Sequence, residues 1–352
     1  MDKKKKILFY AVSPMNYAVF STIHRKLAKD SRIEITFTSK FEGSKNPDRL
    51  YREVLGLTNV NLLNYRLAGL KRFDLYISPD IMMAGKRCSF KVHMFHGASF
   101  KGKAYSDKVY QFDKLFLIGE YMRSKFVSDG LLKENDKRIE KVGMPKLDRF
   151  FDGSLSREKI LELMGLDPKV PTVIYAPTWS QQSSLYTVGE ALISELSHEG
   201  LNVLVKIHDH SYDLNRNPVD WRVKLAPLEK GKTRIIKDYD IVPYLFASDL
   251  LITDLSSVSN EFALLDRPIV FIDTPGLLER YKNTVDLEVW GRKSGYTVET
   301  IPQIKSAVQK GVENPSEHSE VRKRLAENLF YNPGKATEKA VSAIYRYLEL
   351  DE

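Results

Sequence analysis

In the stretch LLITDLSSVSNEFALLDRPIVFID (250–273), two apolar runs with strand character, LLIT and IVFI, bracket a polar turn and a short amphipathic segment. Short apolar runs separated by a helix-length segment predict a parallel βαβ unit, whose strands are buried on both faces. Val258, Phe262 and Leu265 follow i, i+4, i+7 spacing and predict the core face of the intervening helix. The turn itself is Asp254, Leu255, Ser256 and Ser257. Hydroxyls directly after a buried strand suit a helix cap. They equally suit an anion, held by the hydroxyls and the free N–H groups of the helix start. Residue chemistry alone leaves both readings open.

Outward from this stretch, strand-like runs recur at βα spacing in two series. The first comprises ILFYAV (7–12), IEITFTS (33–39), LYIS (75–78), KVHMFHG (91–97), LFLIG (115–119) and IEKVGM (139–144). The second comprises TVIYAPT (172–178), LNVLVKIH (201–208), TRIIKD (233–238), LLITD (250–254) and PIVFID (268–273). Helical patterns such as Asn16 to Lys29 lie between them, and the class is α/β with parallel sheets. The polar link and Pro-bounded turn of 152–171 divide the series, so the expected domains are 1–155 and 156–335. A last helix, 336–352, follows the breaker Asn332-Pro333-Gly334 and is expected to pack back on the first domain. Two such domains form a cleft, and ligands of doubly wound sheets bind beyond the carboxyl ends of the strands.

Composition narrows the function classes. Hydrophobic content of 43% and charged content of 28% are those of a folded globular chain. The 54 Lys and Arg exceed the 46 Asp and Glu for a net charge of +8, which suits a phosphorylated substrate or an anionic membrane surface. No RNA-binding or helix-turn-helix pattern accompanies that charge, so no nucleic acid partner is expected. A single cysteine, Cys88, excludes an intramolecular disulfide and makes a reducing compartment the default. The opening MDKKKKILFYAV reads as a first strand rather than a secretory leader, and no run reaches the length of a spanning helix.

The chemistry-bearing residues follow strands. His96 and Gly97, with Lys101 close behind, end one of them; histidine suits general base work near neutral pH, and glycine admits a close approach. A hydrogen-bonded turn histidine is the competing account of His96, and His93 on the other face is read as structural. Lys206 and His208 share a strand face at period two and suit a phosphate or pyrophosphate. His208 with His210 also has metal-ligand spacing, but no further ligand stands at a recognisable distance, so no metal site is expected. Thr178 and Trp179 follow a strand ended by Pro177, and Asp254 precedes the two serines. Asp238-Tyr239-Asp240 matches a carboxylate pattern of metal-dependent sugar transferases, yet Asp240 reads better as a helix cap.

HGASFKG (96–102), GMPKLDRF (143–150), YAPTW (175–179), VKIHDH (205–210) and DIVPYLFASDLLITDLSSVSNEFALLDRPIVF (240–271) together resemble the CDP-glycerol glycerophosphotransferases of teichoic acid and capsule synthesis. The resemblance implies a GT-B fold of two Rossmann-like domains, with the donor mainly on the C-terminal one. It implies transfer of an alditol phosphate, glycerol or ribitol, from a CDP-alditol to a hydroxyl of a cell-surface glycan or lipid-linked precursor, with release of CMP. It implies His96 as the base on the acceptor hydroxyl and His208 as the donor-phosphate histidine. Ser256 and Ser257 would hold the donor phosphates and Thr178 would line the donor site, with Lys206 and a protonated His208 adding positive charge. No cofactor is implied, no divalent metal is required, and the expected place is the cytoplasm, with peripheral contact to the anionic inner face of the membrane. Leu255 stands where such proteins usually have Tyr, Asp209 where they have Pro, and Ala98 and Ser99 where Thr and Pro are common. A GT-B glycosyltransferase with a nucleotide-sugar donor is the alternative enzyme. A nucleotide-binding or scaffolding protein is the non-enzymatic alternative.

Overall fold

The computed structural model describes residues 3–82, 87–98, 106–282 and 292–351. They fold into two compact units. The first takes the described residues up to Ala98, those from Ser106 to Phe151, and those from Asn328 onward; the second runs Asp152–Glu327.

In the first unit seven strands form one sheet: β1 (Lys5–Ala11), β2 (Ile33–Ser39), β3 (Asn61–Leu62), β4 (Phe73–Ser78), β5 (Cys88–Met94), β6 (Lys114–Leu117) and β7 (Ile139–Lys141). All pair in parallel in the order β3-β2-β1-β4-β5-β6-β7, so the direction of winding reverses between β1 and β4. Alternate residues Ile7, Phe9 and Ala11 point to a face covered by the Pro14–Leu27 and Ala336–Leu348 helices, through Phe20, Ile23, Ala340 and Ile344. The first of these helices starts where Ser13 accepts the Asn16 N–H and Pro14 occupies the first turn.

Segment 328–335, assigned from sequence to the second domain, belongs to the first unit. Its backbone explains why. The Tyr331 N–H donates to the Ile118 carbonyl at 2.7 Å, and the Asn332 side-chain amide donates to the Lys141 and Val142 carbonyls. Gly143 makes room for this return: it has φ +100, and a Cβ there would meet the Tyr331 carbonyl oxygen at 2.0 Å. Five residues on, the buried Asp148 carboxylate accepts the N–H groups of Ala336 at 3.0 Å and Thr337 at 2.6 Å. The Ala336–Leu348 helix has no side-chain cap of its own, so Asp148 caps it from a distant part of the chain. Asp148→Ala is therefore expected to cost about 1–3 kcal/mol, read as a lower urea midpoint, because two buried N–H groups lose a charged acceptor. An unchanged midpoint would refute the cap.

The second unit has six strands: β8 (Thr172–Tyr175), β9 (Asn202–Val205), β10 (Thr233–Ile235), β11 (Leu250–Thr253), β12 (Ile269–Ile272) and β13 (Tyr296–Val298). They too are all parallel, in the order β10-β9-β8-β11-β12-β13, and the winding reverses between β8 and β11. Tyr175 stands level with Val205 on one side and Ile252 on the other. Several strands stop short of their expected carboxyl ends: β5 at Met94, β8 at Tyr175 and β9 at Val205. The polar residues that follow leave the ladder to make turn and cap contacts. Pro177 has no N–H to continue it. Among the described residues no helix is long and apolar enough to cross a membrane.

Candidate active site

The winding reversal of the second unit is organised by one carboxylate. Asp254, 1% exposed at the end of β11, accepts four hydrogen bonds. One oxygen takes the Thr178 N–H at 2.8 Å and the Leu255 N–H at 2.7 Å; the other takes the N–H and hydroxyl of Ser184 at 2.9 and 2.8 Å. Ser184 is in turn bonded to the buried Tyr175 hydroxyl. A buried charge is stable only when paired or fully hydrogen-bonded, and here backbone amides do most of that. Asp254 thus ties the turn after β8 to the turn after β11. Thr178, 5% exposed, is held in place by this contact through its backbone. Ser184 was not singled out in the sequence; the need of a buried Asp254 for donors was the available signal.

Ser256 and Ser257 stand partly accessible in the turn that Asp254 fixes. Ser257 occupies the cap position of the Val258–Ala263 helix, yet its hydroxyl makes no capping bond. The Ser256 hydroxyl reaches the Val258 N–H only at 3.5 Å. Capping therefore leaves these hydroxyls largely unspent. The helix is only six residues long, and its far face differs from the expected one. Phe262 is fully buried, while Val258 and Leu265 are half-buried and Ser259, Asn260 and Glu261 are enclosed. Leu255, where tyrosine was expected, is 1% exposed and faces the core.

Lys206 and His208 do not share a strand face, because β9 ends at Val205. The Lys206 ammonium, 7% exposed, donates to the Ile207 carbonyl at 3.0 Å and to Asp209 Oδ1 at 3.3 Å. It braces the turn that carries His208. His208 Nδ1 accepts the His210 N–H at 3.1 Å. In that arrangement the ring proton sits on Nε2, so His208 is a neutral donor rather than the protonated group expected from the sequence. The Trp179 ring lies 6.4 Å from the His208 ring and 5.4 Å from that of His210. Burial pushes His210 below the ordinary imidazole value. Asp240 accepts the Val242 N–H at the start of the Val242–Ala247 helix, as a capping residue does.

In the first unit His93, inside β5, and His96, two residues past its end, differ. His93 is 2% exposed, packs against Phe95 and Phe112, and its Nδ1 meets the Ser78 carbonyl at 3.1 Å. Burial, then the neighbouring His96, pushes it down to about 3, so it stays a neutral packing residue. His96 is exposed, and its Nδ1 lies 3.3 Å from the Pro79 carbonyl oxygen. A carbonyl only accepts, so Nδ1 carries the proton and Nε2 keeps its lone pair. That is the tautomer a general base needs. Gly97 is half-buried and Ala98 fully buried behind it; Lys101 lies outside the described residues.

Residues 87–346 match the family described as CDP-Glycerol:Poly(glycerophosphate) glycerophosphotransferase. The teichoic acid glycerol-phosphate primase of Bacillus subtilis (strain 168) is 28% identical over 193 residues, 53% of this chain and 44% of that protein. The teichoic acid poly(glycerol phosphate) polymerase of the same strain is 27% identical over 256 residues, 68% of this chain and 30% of that protein. The chain thus spans less than half the length of either relative. In three dimensions it is similar to the wall teichoic acid polymerase TagF, with a TM-score of 0.74 at 16% identity, covering 99% of this chain and 90% of that one. That likeness places the fold in the GT-B class of two Rossmann-like units. The family match spans most of the sequence, and the chain belongs to the CDP-glycerol:poly(glycerophosphate) glycerophosphotransferase family.

Proposed function

We propose that this chain transfers glycerol phosphate from CDP-glycerol to a hydroxyl of a teichoic-acid-type acceptor, a glycan or its lipid-linked precursor, and releases CMP. The observation that carries the reading is the hydroxyl-bearing turn held by Asp254 at the winding reversal of the second unit, in a member of this family. An acceptor hydroxyl attacks the glycerol-bearing phosphorus; a P–O bond forms there as the bond to the bridging oxygen breaks. The hydroxyl proton passes to His96 Nε2, and CMP departs with the bridging oxygen. Charge gathers on the phosphoryl oxygens during this step, and preorganised donors stabilise it. The Nε2–H of His208 and the Ser256 and Ser257 hydroxyls are such donors, with Thr178 beside them. Lys206 adds positive potential from the turn behind His208, tempered by Asp209. Gly97 lets the acceptor approach, and Lys101 is assigned to the same approach on sequence alone. With N–H, O–H and ammonium groups serving the phosphates, the reaction is proposed to run without a resident metal. The chain is proposed to act in the cytoplasm, its net positive charge favouring peripheral contact with an anionic membrane.

The test is nucleotide release by the purified chain from CDP-glycerol, CDP-ribitol and UDP-sugars, with and without a glycerophosphate-primed lipid-linked acceptor. CMP from CDP-glycerol, dependent on acceptor and persisting in EDTA, is the expected result. Release of UDP from a sugar donor, with CDP-glycerol left intact, would replace this reading by the glycosyltransferase one.

A further inference from the structure

At the amino ends of its strands, one face of the first unit's sheet lacks apolar cover, although Leu8, Tyr10 and Tyr76 further along that face are buried. Parallel sheets are normally buried on both faces. Opposite the Ile7, Phe9 and Ala11 face, the amino ends of the strands present a polar row instead. Lys6 is level with Glu34 across β1 and β2, and Thr36 is level with Asn61 across β2 and β3. Asp74 and Ser89 continue the row, Asp74 accepting the Lys6 N–H at 2.7 Å. These groups, with Lys3, Lys71 and Arg72, line a cavity of about 680 Å³. That volume lies within the range of small-molecule sites.

Four cations therefore face two carboxylates. Among the described residues Lys3, Lys6, Lys71 and Arg72 take part in no ion pair, although this chain pairs many of its other surface cations. One of the two carboxylates, Asp74, already accepts a backbone amide. The lining is that of a site for an anion that also carries hydroxyls: cations for phosphate, and Thr36, Asn61, Ser89 and Glu34 for polyol oxygens. All four cations precede residue 87, where the family match begins. Ser89 is five residues before Met94, the last residue of β5, about 17 Å at the rise of a strand, and His96 follows two residues later. The cavity is at the opposite end of the sheet from the proposed base.

We propose that this cavity binds a polyol phosphodiester, an already polymerised stretch of the acceptor chain, and so holds long acceptors on the protein between transfers. The inference rests on the transfer reading above for the identity of the polymer. Only an acceptor several repeats long reaches both the cavity and His96, so acceptor length is the discriminating variable.

The experiment uses the full chain and the exposed pair Lys71→Gln/Arg72→Gln, with a soluble glycerol phosphate oligomer of several repeats as the probe. Equilibrium binding without donor is expected to weaken about tenfold, roughly 1.4 kcal/mol, with a shallower salt dependence as two phosphate contacts are lost. KM for long acceptors is expected to rise while turnover of a single-repeat acceptor stays at the wild-type value. Unchanged oligomer affinity, or equal losses on short and long acceptors, overturns the proposal. So does a variant that binds the oligomer normally but loses binding to phosphatidylglycerol vesicles, which would assign the cavity to a lipid headgroup. Failure of the wild type to release CMP from CDP-glycerol would instead refute the transfer reading, and oligomer binding would still report on the cavity.

Discussion

Asp254→Ala is expected to unfold the second unit at markedly lower denaturant and to abolish donor binding. The carboxylate is 1% exposed and accepts four hydrogen bonds, three of them from backbone amides of the segments after β8 and β11. Removing it strands those amides in the interior, where each unpaired group costs about 1–3 kcal/mol. A total of about 3 kcal/mol or more follows, a fall of roughly 6–12 °C in the melting temperature of a unit this size. The turn bearing Ser256 and Ser257 loses its anchor to Thr178 at the same time, so CDP-glycerol affinity falls with stability. Asp254→Asn separates the two effects. It keeps the volume and one accepting oxygen, but turns an N–H₂ toward one pair of donors, so an intermediate loss is expected. Wild-type melting and donor affinity in Asp254→Ala would dismiss the carboxylate as the organiser of the site.

The second large effect is kinetic. His96→Gln should lower turnover by about 10²–10⁴, the contribution typical of a positioned general base. Glutamine can still donate to the Pro79 carbonyl, but it offers no lone pair of comparable basicity at the position of Nε2. Donor affinity should stay at its wild-type value, because the donor groups belong to the second unit. His93→Gln is the contrasting variant: it disturbs a buried contact to Ser78 and lowers stability before it affects turnover. Turnover within a few-fold of wild type in His96→Gln would remove the base assignment.

Alternating short apolar runs and helical segments were enough to read two parallel α/β units, because strands buried on both faces write themselves as continuous hydrophobic stretches. Strands β3 and β13 escaped that reading: two and three residues long and not fully buried, they carry too little apolar pattern. The carboxyl ends of strands were misjudged for the opposite reason. In VKIH the alternation persists past Val205, while the backbone has already left the ladder to place Lys206 against Asp209 and His208 in a cap.

Residue types at strand ends pointed to His96, Lys206, His208, Thr178 and the Asp254 turn, since ligands of doubly wound sheets bind beyond the carboxyl ends of the strands. Their division of labour was not legible. Which imidazole nitrogen keeps its lone pair depends on Pro79 in one case and on the His210 amide in the other, and both are set by turn geometry. Asp148 is a similar case: its motif stood out, but its partners lie near residue 336, beyond the whole second unit. The amino-acid sequence by itself determined the fold class, the family and the strand ends where chemistry gathers, because periodicity and local residue type are properties of short segments. Tertiary structure alone decided the tautomer of His96, the role of Asp254 as anchor and the polar cavity at the far end of the first sheet, because each arises from groups that only long-range parallel pairing brings together.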